Sequence, residues 1–365
     1  MTIDRSFKIA FRRRLLLWYR KNRRALPWRS VRDPYRILVS EMMLQQTSVA
    51  VATHYYLVFM ERFPTISSLA EAELADVMKV WEGLGYYGRA RNLHRTAQEI
   101  QTRFHGQVPP NLDELRSLPG IGPYTAGAVL SIAFDVRVPV LDGNVVRVLS
   151  RVFRIFGDIG QARTLSKLRG LAEDLLPKQG AGDFNQGLME LGALICRPKK
   201  PVCTECPVSL ICKAKRSSVQ ERLPVRTPRK PIPHIHVTAG VIQNDGKFLI
   251  TLRPPSGLLG GLWEFPGGKQ ENGESLDACL RREIREELGI EIDVGDEFMT
   301  VNHAYSHFKI TLHVFTCRYG GGKIRLNGCD DFQWITVRDL DRFAFPAADR
   351  RVIRRLQEEG FGGRR

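Results

Sequence analysis

Through the first two-thirds of the chain, apolar residues recur every three or four positions. The segments from Leu93 to Phe104 and from Val145 to Phe156 show this spacing, which predicts helices with one buried face. Beyond Pro233 the pattern changes. Short β-rich runs appear at His236–Val241, Phe248–Leu252 and Ile310–Phe315, and they predict strands. Between the two patterns, Lys213 to Pro233 reads KAKRSSVQERLPVRTPRKPIP, without apolar periodicity and rich in proline and basic residues. That is the composition of a semi-extended linker. The 365 residues therefore read as a multidomain chain: an all-α domain over 1–212, a linker over 213–233 and an α+β domain over 234–365. Leu15-Leu16-Leu17 is too short, and too crowded by arginines, for a signal or a membrane span. The expectation is a cytoplasmic protein that touches no membrane.

Charge divides along the same line. Residues 1–233 carry 37 Lys and Arg against 20 Asp and Glu, whereas residues 234–365 carry 18 against 19. An excess of +17 confined to the first part is what holding a nucleic-acid backbone requires. Charge alone does not separate DNA from RNA.

Cys196, Cys203, Cys206 and Cys212 then stand in the spacing C-x6-C-x2-C-x5-C. Four thiolates this close suit a [4Fe–4S] cluster or a structural zinc ion, and the spacing taken alone leaves both open. Upstream, Leu118-Pro119-Gly120-Ile121-Gly122-Pro123 predicts a tight turn between helices, its Gly120 and Gly122 backbone N–H groups aimed outward at a DNA phosphate. Asp142 follows in Leu141-Asp142-Gly143-Asn144. Cysteines, hairpin and aspartate together resemble the endonuclease III superfamily of DNA glycosylases. The resemblance implies a helix-hairpin-helix glycosylase domain, one [4Fe–4S] cluster on the four cysteines, and Asp142 beside the target sugar. Members that also cut the strand have a lysine where this chain has Tyr124, so a monofunctional enzyme is implied. Lys199 and Lys200, in the basic loop between the first two cysteines, are expected to contact phosphate.

Ser40-Glu41-Met42-Met43-Leu44-Gln45-Gln46-Thr47 and Gly83-Leu84-Gly85-Tyr86-Tyr87-Gly88 resemble the motifs of MutY-type adenine DNA glycosylases, as do Pro27-Trp28-Arg29 and Phe184-Asn185-Gln186 through Glu190. The resemblance implies a cytoplasmic enzyme (nucleoid-associated in a bacterium), a monomer, acting on double-stranded DNA that carries adenine opposite 8-oxoguanine or guanine. It places Gln46 and Tyr86 as wedges, and Trp28, Arg29 and Glu190 around the base. The chemistry agrees. Adenine leaves only once protonated, and Glu41 lies among apolar neighbours that would raise its pKa. Asp142 would stabilise the oxocarbenium-like sugar, with Asn144 and Tyr124 orienting the groups.

Residues 268–290 read GKQENGESLDACLRREIREELGI, which fits the full Nudix signature. Glu283, Glu286 and Glu287 fall on one helical face and could hold Mg²⁺ at a pyrophosphate. Related enzymes use such a domain to read 8-oxoguanine in DNA, and their signature is usually degraded. An intact one leaves nucleotide pyrophosphohydrolysis open beside the reader role. Tyr305-Ser306-His307 resembles the lesion-probing loop of the family, with tyrosine in place of phenylalanine.

Overall fold

The computed structural model describes residues 3–228, 231–305 and 308–360. The chain forms two compact units. One is built from the residues before Ala72 together with those from Asn92 to the linker; the other joins Ala72–Arg91 to the C-terminal third.

The first unit is helical. Its order along the chain is α1 (Arg5–Asn22), α2 (Pro34–Leu44), α3 (Val49–Arg62) and α4 (Ile66–Ala70). After α5 (Leu74–Val80), which belongs to the second unit, come α6 (Gly88–Arg103), α7 (Leu112–Ser117), α8 (Pro123–Phe134), α9 (Gly143–Phe153), α10 (Ala162–Leu175), α11 (Ala181–Leu194) and α12 (Lys213–Arg216). The predicted helices coincide with α6 and α9 but overrun their ends, by Phe104 in the first and by Arg154 to Phe156 in the second. One core joins α1, α9, α10 and α11 around Phe11, Leu15, Leu149 and Phe184. Helix α9 lies in the middle of it, which explains why Val145 to Phe153 are all buried.

Between α7 and α8 the hairpin turn forms as expected. Gly120 takes φ +71°, and a Cβ there would sit 2.6 Å from the Asn92 side chain, so only glycine fits. Gly122 is different: a Cβ there would meet nothing within 4 Å.

The second unit holds a six-stranded mixed sheet made of β1 (His234–Asn244), β2 (Lys247–Leu252), β3 (Trp263–Glu264), β4 (Glu291–Ala304), β5 (Lys309–Gly321) and β6 (Asp331–Ile335). The order is β3-β2-β1-β5-β4 with β6 also on β2, and the one parallel pair is β1 with β5. Helix α13 (Leu276–Leu288) covers one face through Leu280, Ile284 and Leu288. Helix α14 (Ala347–Glu358) covers the other through Val352, Ile353 and Leu356. The three strands read from sequence lie inside β1, β2 and β5. Residues Ala72–Arg91 join this unit by specific bonds: Lys79 Nζ donates to the Phe343 carbonyl and the Phe345 N–H donates to Glu82, both at 2.8 Å.

Candidate active site

Asp33 caps α2 by accepting from the Tyr35 and Arg36 N–H groups, and Pro34 opens its first turn. Beyond that start the helix is apolar nearly all round, and residues Ile37 to Met43 are all buried. A helix buried on every side carries its one acid inward too. Glu41 is 4% exposed, and burial pushes its carboxyl up to about 7. Tyr124, in the first turn of α8, opposes this by donating its hydroxyl to Glu41 Oε2 at 2.7 Å, while the charge of Asp142 adds to the rise. The Tyr124 phenol is itself driven well above its ordinary pKa by burial, so it stays a donor.

Asp142 is the N-cap of α9. Its Oδ1 accepts the Val145 N–H at 2.7 Å and its Oδ2 accepts Asn144 Nδ2 at 2.7 Å. Burial raises its pKa, and these two hydrogen bonds pull the other way. The ordinary role of an aspartate in a DGN triplet, capping a helix, and a role in a cavity are thus both filled by one side chain. Asn144 is fixed in turn by Arg147, whose Nη2 donates to Asn144 Oδ1 at 2.7 Å and to the Gly192 carbonyl at 2.8 Å. Helix α11 passes so close here that a Cβ on Gly192 would lie 2.5 Å from Asn144 Cβ.

Glu41, Tyr124, Asp142 and Asn144 line one cavity of about 420 Å³, walled on another side by Trp28, Arg29 and Glu190. Glu190 is fully buried, which would raise its pKa. Hydrogen bonds from Arg24 (2.7 and 2.9 Å) and Arg29 (3.0 and 3.1 Å) outweigh that and hold it at about 2. Of the three carboxyls lining the cavity, Glu41 is pushed up to about 7 and Glu190 is fixed as an anion, while Asp142 is raised by burial.

Cys196, Cys203, Cys206 and Cys212 surround a second, small cavity. Burial raises the thiols of Cys203 and Cys212 and pushes Cys206 up to about 12. A single zinc ion draws four sulfurs to about 2.3 Å from one point. Among the described residues no three His, Cys, Asp or Glu side chains converge in that way. The four half-buried thiols share one cavity and form a sulfur donor set suited to a metal centre. Arg151 Nη1 donates to Cys196 Sγ at 3.3 Å, a cation suited to balancing thiolate charge.

In the second unit, Glu283, Glu286 and Glu287 lie on α13 as predicted. Arg282 pairs with Glu283 (3.0 Å), Glu286 (3.1 Å) and Glu274 (2.9 Å). Glu283 and Glu287 both line a cavity of about 400 Å³ with Glu264, Asp349 and Arg253. Tyr305 and Tyr86 line a further cavity of about 410 Å³ with His303 and Phe308. Ser306 and His307 lie outside the described residues.

Comparison with known proteins agrees with both units. Residues 39–174 match the HhH-GPD superfamily base excision DNA repair protein, and residues 237–355 match the NUDIX domain. The adenine DNA glycosylase of Rattus norvegicus is 34% identical over 97% of this chain and 79% of its own length. This chain belongs to the adenine DNA glycosylase family. The human member is likewise 34% identical, over 95% of this chain and 74% of its own. That of Buchnera aphidicola subsp. Acyrthosiphon pisum is 36% identical over 84% and 85%. Among solved structures, a thermostable thymine-DNA glycosylase superposes with a TM-score of 0.52 at 31% identity, covering 58% of this chain and 98% of that one. The chain is an enzyme of base excision repair that acts on N-glycosyl bonds, and DNA is its partner.

For this adenine DNA glycosylase family member, the structure gathers seven of the residues singled out from sequence into one cavity. Gln46 and Tyr86 stand outside it. Both have left-handed backbones, φ 57° and 50°, a costly conformation for residues other than glycine. Lys199 and Lys200 are exposed, and Lys200 is also left-handed at φ 49°. No helix among the described residues is long and apolar enough to cross a membrane. Sequence reasoning missed Arg24, Arg147 and Met189. Arg24 and Arg147 work through partners as much as 166 residues away, and no local pattern marks them. Met189, whose sulfur lies 3.5 Å from the Tyr124 hydroxyl, is legible only as one more apolar residue on α11.

Proposed function

We propose that the enzyme hydrolyses the N-glycosyl bond of adenine paired with 8-oxoguanine or guanine in double-stranded DNA, without cutting the strand. The observation that carries this reading is the single cavity in which Glu41, held near its protonated form, faces Asp142. Adenine flipped into that cavity receives a proton from Glu41, which makes it a leaving group at neutral pH. The positive charge left on the sugar is met by Asp142, itself positioned by Asn144 and the start of α9. Tyr124 holds Glu41 in place. It has no amine to form a Schiff base, so water completes the reaction and the backbone stays intact.

Trp28 supplies an apolar wall for the base, while Arg29 and Glu190 offer it hydrogen bonds. Gln46 and Tyr86 fill the gap left in the duplex. In the C-terminal unit, Tyr305 with Ser306 and His307 reads the opposing lesion. The hairpin binds phosphate through Gly120 and Gly122, where the open space at Gly122 leaves room for close approach, and Lys199 and Lys200 add charge. The four cysteines hold one [4Fe–4S] cluster that shapes this basic loop. The enzyme works as a monomer, in the cytoplasm at the nucleoid.

The test is a duplex with one adenine opposite 8-oxoguanine, incubated with purified enzyme and then treated with alkali. A break at that adenine only after alkali is expected. No break, or one without alkali, overturns the reading.

A further inference from the structure

The turn that leads from α5 into α6 has a backbone that few sequences adopt. Gly83, Gly85 and Tyr86 take φ 92°, 75° and 50°, three left-handed residues within four positions. Glycine accepts this conformation readily, whereas a tyrosine adopts it at a cost. Tyr86 therefore stays there only if its surroundings hold it.

Arg89, in the first turn of α6, supplies that hold. It is 7% exposed. Its Nη2 donates to the Gly85 carbonyl at 2.9 Å and, over a longer 3.4 Å, to that of Leu84. Nε reaches the Tyr86 carbonyl at 3.4 Å, and the Arg89 backbone N–H donates to the same oxygen at 2.9 Å. The guanidinium carbon also lies 5.3 Å from the centre of the Tyr86 ring and 5.4 Å from the Trp81 ring. Trp81 is fully buried, and its Nε1 donates to the Gly85 carbonyl at 3.2 Å. One cation thus ties a core indole to both the backbone and the ring of Tyr86. Burial lowers the Arg89 pKa only to about 10, so the charge persists at neutral pH. Tyr87 is fixed differently: its hydroxyl accepts the Gly83 N–H at 3.0 Å, which closes the turn on itself.

These contacts need a guanidinium. Arginine presents several N–H donors in one plane and a flat face that stacks on aromatic rings. A lysine ammonium is a point charge without that fork. A side chain whose bound conformation is set before its partner arrives has less freedom left to lose on binding.

We propose that Arg89 is a positioning residue for Tyr86, presetting the backbone and ring of this tyrosine before it enters the duplex. This rests on the reading of Tyr86 as a wedge. Every group involved falls within Ala72–Arg91, so the device is local to that segment.

The test uses the full chain and a duplex with adenine opposite 8-oxoguanine, in which 2-aminopurine next to the 8-oxoguanine brightens when unstacked. Wild type, Tyr86→Ala, Arg89→Lys and the double variant are compared for that fluorescence rise and for single-turnover adenine release. Circular dichroism checks the fold of each. Arg89→Lys should blunt the rise and slow release by up to about 10²-fold, the scale of a small misplacement. Added to Tyr86→Ala it should cost nothing more, because both changes remove one interaction. A wild-type rise in Arg89→Lys, or losses of release that multiply in the double variant, overturns the positioning role. Loss of the fold in both Arg89→Lys and Arg89→Gln also overturns it, by making Arg89 a structural residue. A wild-type rise in Tyr86→Ala instead overturns the wedge reading itself.

Discussion

Two cavities of nearly equal size, about 420 Å³ in the helical unit and about 400 Å³ in the C-terminal unit, both contain carboxyls pushed up to about 7. They are built in opposite ways. In the first, each acid has its own partners: Glu41 has the Tyr124 hydroxyl, Asp142 the start of α9, and Glu190 two guanidinium groups. In the second, Glu264, Glu287 and Asp349 are all raised to about 7 by burial, and Arg253 is the shared cation that opposes the rise in all three. Burial alone therefore does not distinguish the two cavities. What distinguishes the first is a neighbouring acid held in a different state.

The sharpest way to break this comparison is Glu41→Gln. Loss of the acid should slow adenine release about 10²–10⁴-fold in single-turnover assays. In the wild type, release should fall about tenfold per pH unit above 7, where Glu41 loses its proton. Stability should move the other way. The folded pKa of Glu41 lies above its unfolded value, so its contribution is full at low pH and is lost as pH rises through about 7. Glutamine has no charge to bury, and denaturant titration at pH 8 should show the variant more stable by about 1–2 kcal/mol. A residue that merely holds the fold together would lose activity and stability together.

Gly192→Ala gives a smaller effect on the same cavity. Its new methyl group collides with Asn144 Cβ and backbone, so Asn144 must shift and its bond to Asp142 is disturbed. Adenine release should fall about tenfold, which is about 1.4 kcal/mol, with little change in DNA affinity measured by anisotropy. Unchanged release would detach Asn144 from the role given to it.

Asp349→Asn tests the other cavity and should change least. Its amide oxygen can still accept the Phe265 N–H. The same sign applies: Asp349 is raised in the folded state, so the wild type loses stability as pH climbs through about 7. The variant should gain about 1 kcal/mol at pH 8, nothing at pH 4, and leave adenine release unchanged. A loss at both pH values would show that the carboxylate is structurally required.

How much of this the sequence reveals follows from the range of each interaction. The helical and β-rich regions are local patterns, and so is the hairpin, because Gly120 declares its own backbone requirement. Glu41 is legible since its apolar neighbours travel with it on α2. The Arg24–Glu190 pair and the Arg147 bridge are not, because they join residues distant in the chain. The fate of the Nudix carboxylates is equally hidden: helical spacing puts Glu283, Glu286 and Glu287 on one face, but it does not tell that Arg282 claims two of them. Nor does any composition shift signal that Ala72–Arg91 groups with the C-terminal unit.

Gln46 has a further consequence. Its left-handed backbone would be more comfortable with glycine or asparagine, and its side chain is exposed. Drift toward a more stable protein would replace it. A glutamine at such a position is a standing cost to the free protein, one that only a role of the side chain in the bound state would offset. Tyr86, at φ 50°, carries the same cost.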